Sequence, residues 1–170
     1  MGCANQGFRK GLEISPPMVA VALRNVKKSF DGKVACAGID LTVKKGEFFT
    51  FLGPSGCGKT TILRLIAGFI RPDSGAIHLG NREITHLEPE KRNVGMVFQN
   101  YALFPFLSVY ENIAYGLKIQ KRPEKQIKQT VQDSIALMGL AGFESRTISE
   151  LSGGEQQRVA LARSLVVEPS

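Results

Sequence analysis

Gly53-Pro54-Ser55-Gly56-Cys57-Gly58-Lys59-Thr60-Thr61 decides how this chain is read. It follows Glu47-Phe48-Phe49-Thr50-Phe51-Leu52, a short, almost continuously apolar run with the pattern of a strand buried on both faces. It precedes Ile62-Leu63-Arg64-Leu65-Ile66-Ala67, which the pattern predicts as a short helix stopped at Gly68, with Pro72 beyond. Strand, glycine loop and helix form the setting that a phosphate-binding loop needs. Glycines let consecutive backbone N–H groups turn inward around anionic oxygens, and a helix starting at Gly58 adds the positive end of its dipole. Lys59 supplies a mobile charge for the outer phosphates, and the Thr60 hydroxyl is placed to ligate Mg²⁺. The stretch reads as a nucleoside triphosphate site.

The 170 residues suit one ordinary domain with a core, and 43% are hydrophobic. No apolar run approaches the roughly eighteen residues of a membrane-spanning helix. A net charge of +7 is compatible with anionic lipid, nucleotide or nucleic acid and selects none of them. Cys3, Cys36 and Cys57 form neither a C-x-x-C pair nor an even disulfide set, which fits a reducing compartment. His78 and His86 have no partner at metal-ligand spacing and read as structural or surface residues.

Residues 1–17 read as a disordered tail broken by Pro16-Pro17, and the domain is expected from residue 18. Val19–Leu23, Val34–Ala37 and the alternating Ile39-x-Leu41-x-Val43 predict a largely antiparallel sheet with a turn at Asp31-Gly32. Phe30, beside that turn, offers a face for stacking on a base; an ordinary half-buried aromatic is an equal alternative. Ala76–Leu79 predicts another strand, Glu88–Arg92 a solvated charged loop, and Val94–Phe98 a second buried core strand ending at Gln99. An amide at the carboxyl end of a core strand lies where α/β proteins place ligand-contacting groups.

A helical insert is expected over about residues 100–155. Ser108 and Glu111 form a capping box, and Ile127, Val131, Ile135 and Met138 make one apolar helical stripe. The last motif is Leu151-Ser152-Gly153-Gly154-Glu155-Gln156-Gln157. Ser152 and Glu155 make another capping box, and Gly153-Gly154 leave amides open at a helix N-terminus, a second anion-competent loop. Leu165-Val166-Val167 reads as the end of that helix.

With both loops present, the chain from Val19 onward resembles the ATP-binding subunit of an ABC transporter. Gly53–Thr60 matches the Walker A loop, Gln99 the Q-loop glutamine, and Leu151–Gln157 the signature motif; Phe30 holds the adenine-stacking position. Gly46–Thr50 and Phe98–Pro105 look most like importer subunits for polyamines, ferric iron, phosphonates or sugars. The resemblance implies an α/β fold: a P-loop NTPase core with an antiparallel β subdomain and a helical insert, incomplete at its C-terminus. It implies ATP with Mg²⁺ as cofactors and Lys59 and Gln99 as catalytic groups. Thr60 and Gln99 then ligate the metal, and Phe30 and Gly53–Thr61 bind nucleotide. Ser152, Gly153, Gly154 and Glu155 contact the ATP of a second subunit across a head-to-tail dimer. Membrane permease subunits are the further partners, with no nucleic acid, and the location implied is the cytoplasmic face of the cell membrane.

In the family the Walker B strand, the acid that follows it and the switch histidine come after the signature helix. This sequence reaches Ser170 without them. The chain is therefore expected to be a fragment of a longer protein or a truncated product, with open edges at the Glu47–Leu52 and Val94–Phe98 strands and with ATP hydrolysis doubtful. A soluble ABC-type ATPase of nucleic-acid maintenance or translation, and a non-catalytic fragment that only binds partners, are the competing readings.

Overall fold

The turn at Asp31-Gly32 closes a hairpin between β1 (Val19–Phe30) and β2 (Lys33–Lys44) in the computed structural model, which describes residues 19–168. Asp31 and Gly32 both have positive φ, 46° and 77°, the backbone twist that a two-residue turn between right-twisted strands requires. The expected tail, residues 1–17, lies outside the described residues. The three short apolar runs foreseen here join into two long strands, carried through irregularities such as the register shift between Leu23 and Val26. The described part divides between His86 and Leu87 into two compact units.

In the first unit β3 (Ser74–Leu79) pairs with the other edge of β1, and β4 (Arg82–Glu83) lies outermost, giving an antiparallel sheet in the order β2-β1-β3-β4. Leu23, Val26 and Ile77 are buried in it, and α1 (Lys59–Ala67) buries Ile62 and Leu65. Each such side chain contributes about 1.5–3 kcal/mol relative to exposure.

Two strand expectations are overturned. Glu47–Leu52 lies outside any helix or ladder, and Phe48 and Leu52 are 96% and 97% exposed rather than buried. Val94–Phe98 is likewise outside any ladder, and its apolar residues are only half-buried. The physical reason is shared: a strand is stabilised by its neighbours' hydrogen bonds and side chains, and apolar, β-prone sequence alone does not supply them. Neither segment has a ladder partner among the described residues, as the resemblance implied for their edges.

The second unit is helical: α2 (Val109–Ile119), α3 (Glu124–Leu137) and α4 (Gly153–Leu165). Ile127, Val131 and Ile135 of α3 join Val109, Ile113, Leu117, Leu140, Val159 and Ala162 in one buried cluster, with Met138 packed against it. Val166 caps α4, so the apolar run there ends a helix as expected. Asn112 is completely buried and staples the preceding loop to α2: its Oδ1 accepts from the Phe104 amide at 2.9 Å, and its Nδ2 donates to the carbonyls of Phe104, Leu107 and Ser108. The charged loop is not wholly solvated, because Arg92 is 2% exposed and donates from Nε to the Leu87 carbonyl at 2.8 Å. A guanidinium reaches depth only with its donors satisfied.

Candidate functional site

The loop that precedes α1 is shaped by its glycines. Gly53, Gly56 and Gly58 all have positive φ, 154°, 83° and 93°. Gly58 must be glycine for a second reason: a Cβ there would stand 2.6 Å from the Ala35 carbonyl oxygen of β2. Helix α1 then starts at Lys59 with no side-chain cap and no acidic residue in its first turn. Its leading amides point out of an uncapped, electropositive end. Lys59 Nζ folds back to donate to the carbonyls of Gly53 at 2.7 Å and Pro54 at 2.6 Å, and lies 3.4 Å from Cys57 Sγ. Thr60 and Thr61 follow in the first turn, with Thr60 exposed.

Phe30 ends β1 in the same unit and is 45% exposed, between the two alternatives the sequence left open. Lys28 Nζ lies 5.3 Å from the centre of its ring.

The remaining candidates lie in the second unit. Gln99 is exposed in a turn whose next residues, Tyr101 and Ala102, adopt the left-handed conformation with φ of 60° and 47°. Arg163 of α4 holds this turn, donating from Nη2 to the Tyr101 carbonyl at 3.0 Å and from Nη1 to the Ala102 carbonyl at 2.8 Å. Burial pulls the Arg163 pKa below its ordinary value.

The signature loop forms its capping box in full. Glu155 Oε2 accepts from the Ser152 amide and hydroxyl, both at 2.7 Å, and the Glu155 amide donates to Ser152 Oγ at 3.4 Å. These hydrogen bonds, the Ser152 hydroxyl first, hold the Glu155 carboxyl below its ordinary range. Gly153 and Gly154 are exposed, with open space where a Cβ would stand. The ends of α1 and α4 therefore differ: one is bare, the other carries its own carboxylate. Among the described residues no group of three His, Cys, Asp or Glu side chains could hold a metal ion.

Four residues of consequence escaped the sequence reading: Lys28, Asp73, Asn112 and Arg163. Each is defined by a contact with a residue that is not its neighbour in sequence, and none lies in a recognisable motif.

Residues 36–170 match the ABC transporter family. The chain belongs to that family. It is 53% identical over 149 residues to a spermidine/putrescine import ATP-binding protein, PotA, of Marinobacter nauticus, covering 88% of this chain and 40% of that protein. The PotA of Acetivibrio thermocellus is 57% identical over 152 residues, covering 89% of this chain and 43% of the relative. Among solved structures, the dimeric post-hydrolysis state of the ATP-binding cassette MJ0796, bound to ADP and Pi, aligns with a TM-score of 0.79 at 31% identity, covering 88% of this chain and 70% of that one. The cbiO1 protein of Clostridium perfringens, part of the ABC transporter complex cbiONQ, aligns at 0.80 and 30% identity over 89% of this chain and 63% of that one. The α/β class expected for the family holds: an antiparallel sheet and helices, spanning part of each neighbour. This ABC-family chain spans about two fifths of the length of the curated relatives it matches. No described helix is long and apolar enough to cross a membrane.

Proposed function

We propose that this chain carries the nucleotide-gripping loop and the signature loop of an ATPase subunit that energises polyamine import through a separate permease. The observation that carries the reading is the uncapped start of α1, with its positive-φ glycines and a lysine in the first turn. ATP fits this cradle: backbone amides meet the phosphates, Lys59 exchanges its carbonyl partners for phosphate oxygens, and Phe30 stacks on the adenine. Magnesium, when bound, would neutralise phosphate charge, and the Thr60 hydroxyl is the group of the first unit that would hold it. Ser152, Gly153, Gly154 and Glu155 meet the nucleotide of a second copy, so that one chain supplies half of each of two pockets. The polyamine assignment is supported by the import proteins named above.

Permease docking is supported by an exposed aromatic patch in the second unit. Phe106 is 95% exposed, and Phe104 packs on Tyr115 with ring centres 4.5 Å apart. Binding and turnover are separable in this chain. Its described residues offer a full phosphate cradle, while the Glu47–Leu52 segment before the loop has no ladder partner among them to fix it. Titration of the purified chain with ATP, ADP and tripolyphosphate tests the reading. Saturable binding of all three, with ATP turnover at the level of a Lys59→Ala control, is the expected result. Absence of saturable ATP binding defeats it.

A further inference from the structure

Phe30 stands at the last position of β1, past the point where that strand's pairing with β3 ends at Lys27 and Ser74. Asp73 extends the sheet beyond that point. Its amide donates to the Lys27 carbonyl at 2.9 Å, and its carboxylate accepts from the Ser29 amide at 2.7 Å and from Lys28 Nζ at 2.7 Å. A carboxylate thus takes the Ser29 N–H at a position where β1 also shifts register against β2. The backbone direction entering Phe30 is fixed by this bond. The Lys28 side chain is 17% exposed and its ammonium lies over the Phe30 ring at 5.3 Å.

We propose that Asp73 is a positioning residue for base recognition: through the Ser29 amide and Lys28 it fixes the Phe30 ring, and with it the adenine that stacks there. This rests on the reading of Phe30 as the stacking partner. An exposed ion pair alone is worth little, but here one carboxylate engages two donors on consecutive residues, one of them backbone. The Phe30 ring is 45% exposed, which gives a base access to it. A cation on the far face draws electron density through the ring and eases stacking against an electron-rich purine. The Lys28 and Ser29 donors keep the Asp73 carboxyl below its ordinary value of 3.8, so the arrangement is intact at neutral pH. Asp73 touches neither phosphates nor the reacting atoms; its effect belongs to the base.

The test compares ATP with tripolyphosphate on the purified chain, because the ratio of the two affinities isolates what the base contributes. Asp73→Asn and Lys28→Met are each expected to weaken ATP about three- to tenfold, a fraction of a stacking interaction, and to leave tripolyphosphate unchanged. Lys28→Arg, which keeps the ion pair, is expected to retain the parent ratio. Phe30→Ala is expected to lower the ratio further and to abolish any added effect of Asp73→Asn. Should Phe30→Ala lower the ratio while Asp73→Asn and Lys28→Met leave it alone, the positioning role is overturned and the stacking reading stands. A Phe30→Ala chain with the parent ratio overturns both. Equal weakening of ATP and tripolyphosphate by Asp73→Asn and Lys28→Met marks a general structural role and also overturns the proposal.

Discussion

The Lys59 ammonium lies 2.7 Å from the carbonyl oxygen of Gly53, at the opposite end of the loop it belongs to. The same ammonium donates to the Pro54 carbonyl at 2.6 Å, so the lysine side chain folds back along its own loop. Phosphate binding therefore exchanges two carbonyl acceptors for anionic ones, and the net gain is that of a charge-assisted hydrogen bond, about 1.5–3 kcal/mol. Lys59→Ala is expected to weaken ATP about ten- to a hundredfold, measured by isothermal titration. Removal of the carbonyl contacts is also expected to loosen the loop, read as faster amide exchange at residues 53–58. ATP affinity unchanged in Lys59→Ala removes the basis for the nucleotide assignment.

Glycines in the two loops are required for different reasons, and stability measurements separate them. At Gly58 a side chain meets both a φ of 93° and the Ala35 carbonyl oxygen at 2.6 Å. Gly58→Ala is expected to cost about 1–3 kcal/mol of stability in chemical denaturation and to abolish nucleotide binding. Gly154 lies in the first turn of α4 with open space around its Cβ position. Gly154→Ala is expected to be neutral or stabilising by up to about 1 kcal/mol. A Gly154→Ala chain less stable than its parent contradicts the view that this glycine serves a surface brought by a second copy.

Local signals carried most of what the sequence made legible. The Asp31-Gly32 turn, the Gly68 stop of α1 and the Ser108 and Ser152 caps each depend on residues within a turn of one another, and all appear as read. Glu47–Leu52 and Val94–Phe98 did not, because a core strand exists only beside another strand. The geometry of the two glycine loops was legible for the same reason. What was illegible were the contacts of Asp73, which reaches Lys28 across 45 residues, and of Arg163, which reaches Ala102 across 61. No periodicity announces a contact of that span.

Exposure of Phe48 and Leu52 carries a direct consequence. Side chains 96% and 97% exposed contribute almost nothing to stability, whereas Leu65 on α1 is completely buried. Phe48→Lys and Leu52→Glu are expected to change the unfolding free energy by less than about 0.5 kcal/mol, and Leu65→Ala to cost about 2–5 kcal/mol. The same two polar substitutions are expected to raise the concentration at which the chain self-associates, followed by light scattering, since an exposed apolar segment without ladder partners recruits other chains. A loss of more than about 1 kcal/mol in Leu52→Glu would show that the segment is packed in solution.

Acid should act on the helical unit through its three capping boxes. Glu111, Glu150 and Glu155 each accept hydrogen bonds from the Ser or Thr that caps their own helical turn, Ser108, Thr147 and Ser152. Those bonds hold all three carboxyls below their ordinary value of 4.5. A group whose folded pKa is depressed binds its proton more readily when unfolded, so its contribution is complete above the unfolded pKa and is lost as pH falls through the folded one. The window therefore opens near pH 4.5 and extends downward. Thermal melts followed by helical circular dichroism are expected to hold steady from about pH 7 to pH 5 on this account and to fall steeply below it. Glu→Gln at positions 111, 150 and 155 keeps an amide that can reach back to the cap but removes the titration. The triple variant is expected to melt lower than the parent at pH 7 and to show a shallower acid slope, the two curves converging as acid protonates the three carboxyls of the parent. An acid slope as steep in the triple variant as in the parent would place the sensitivity elsewhere in the chain.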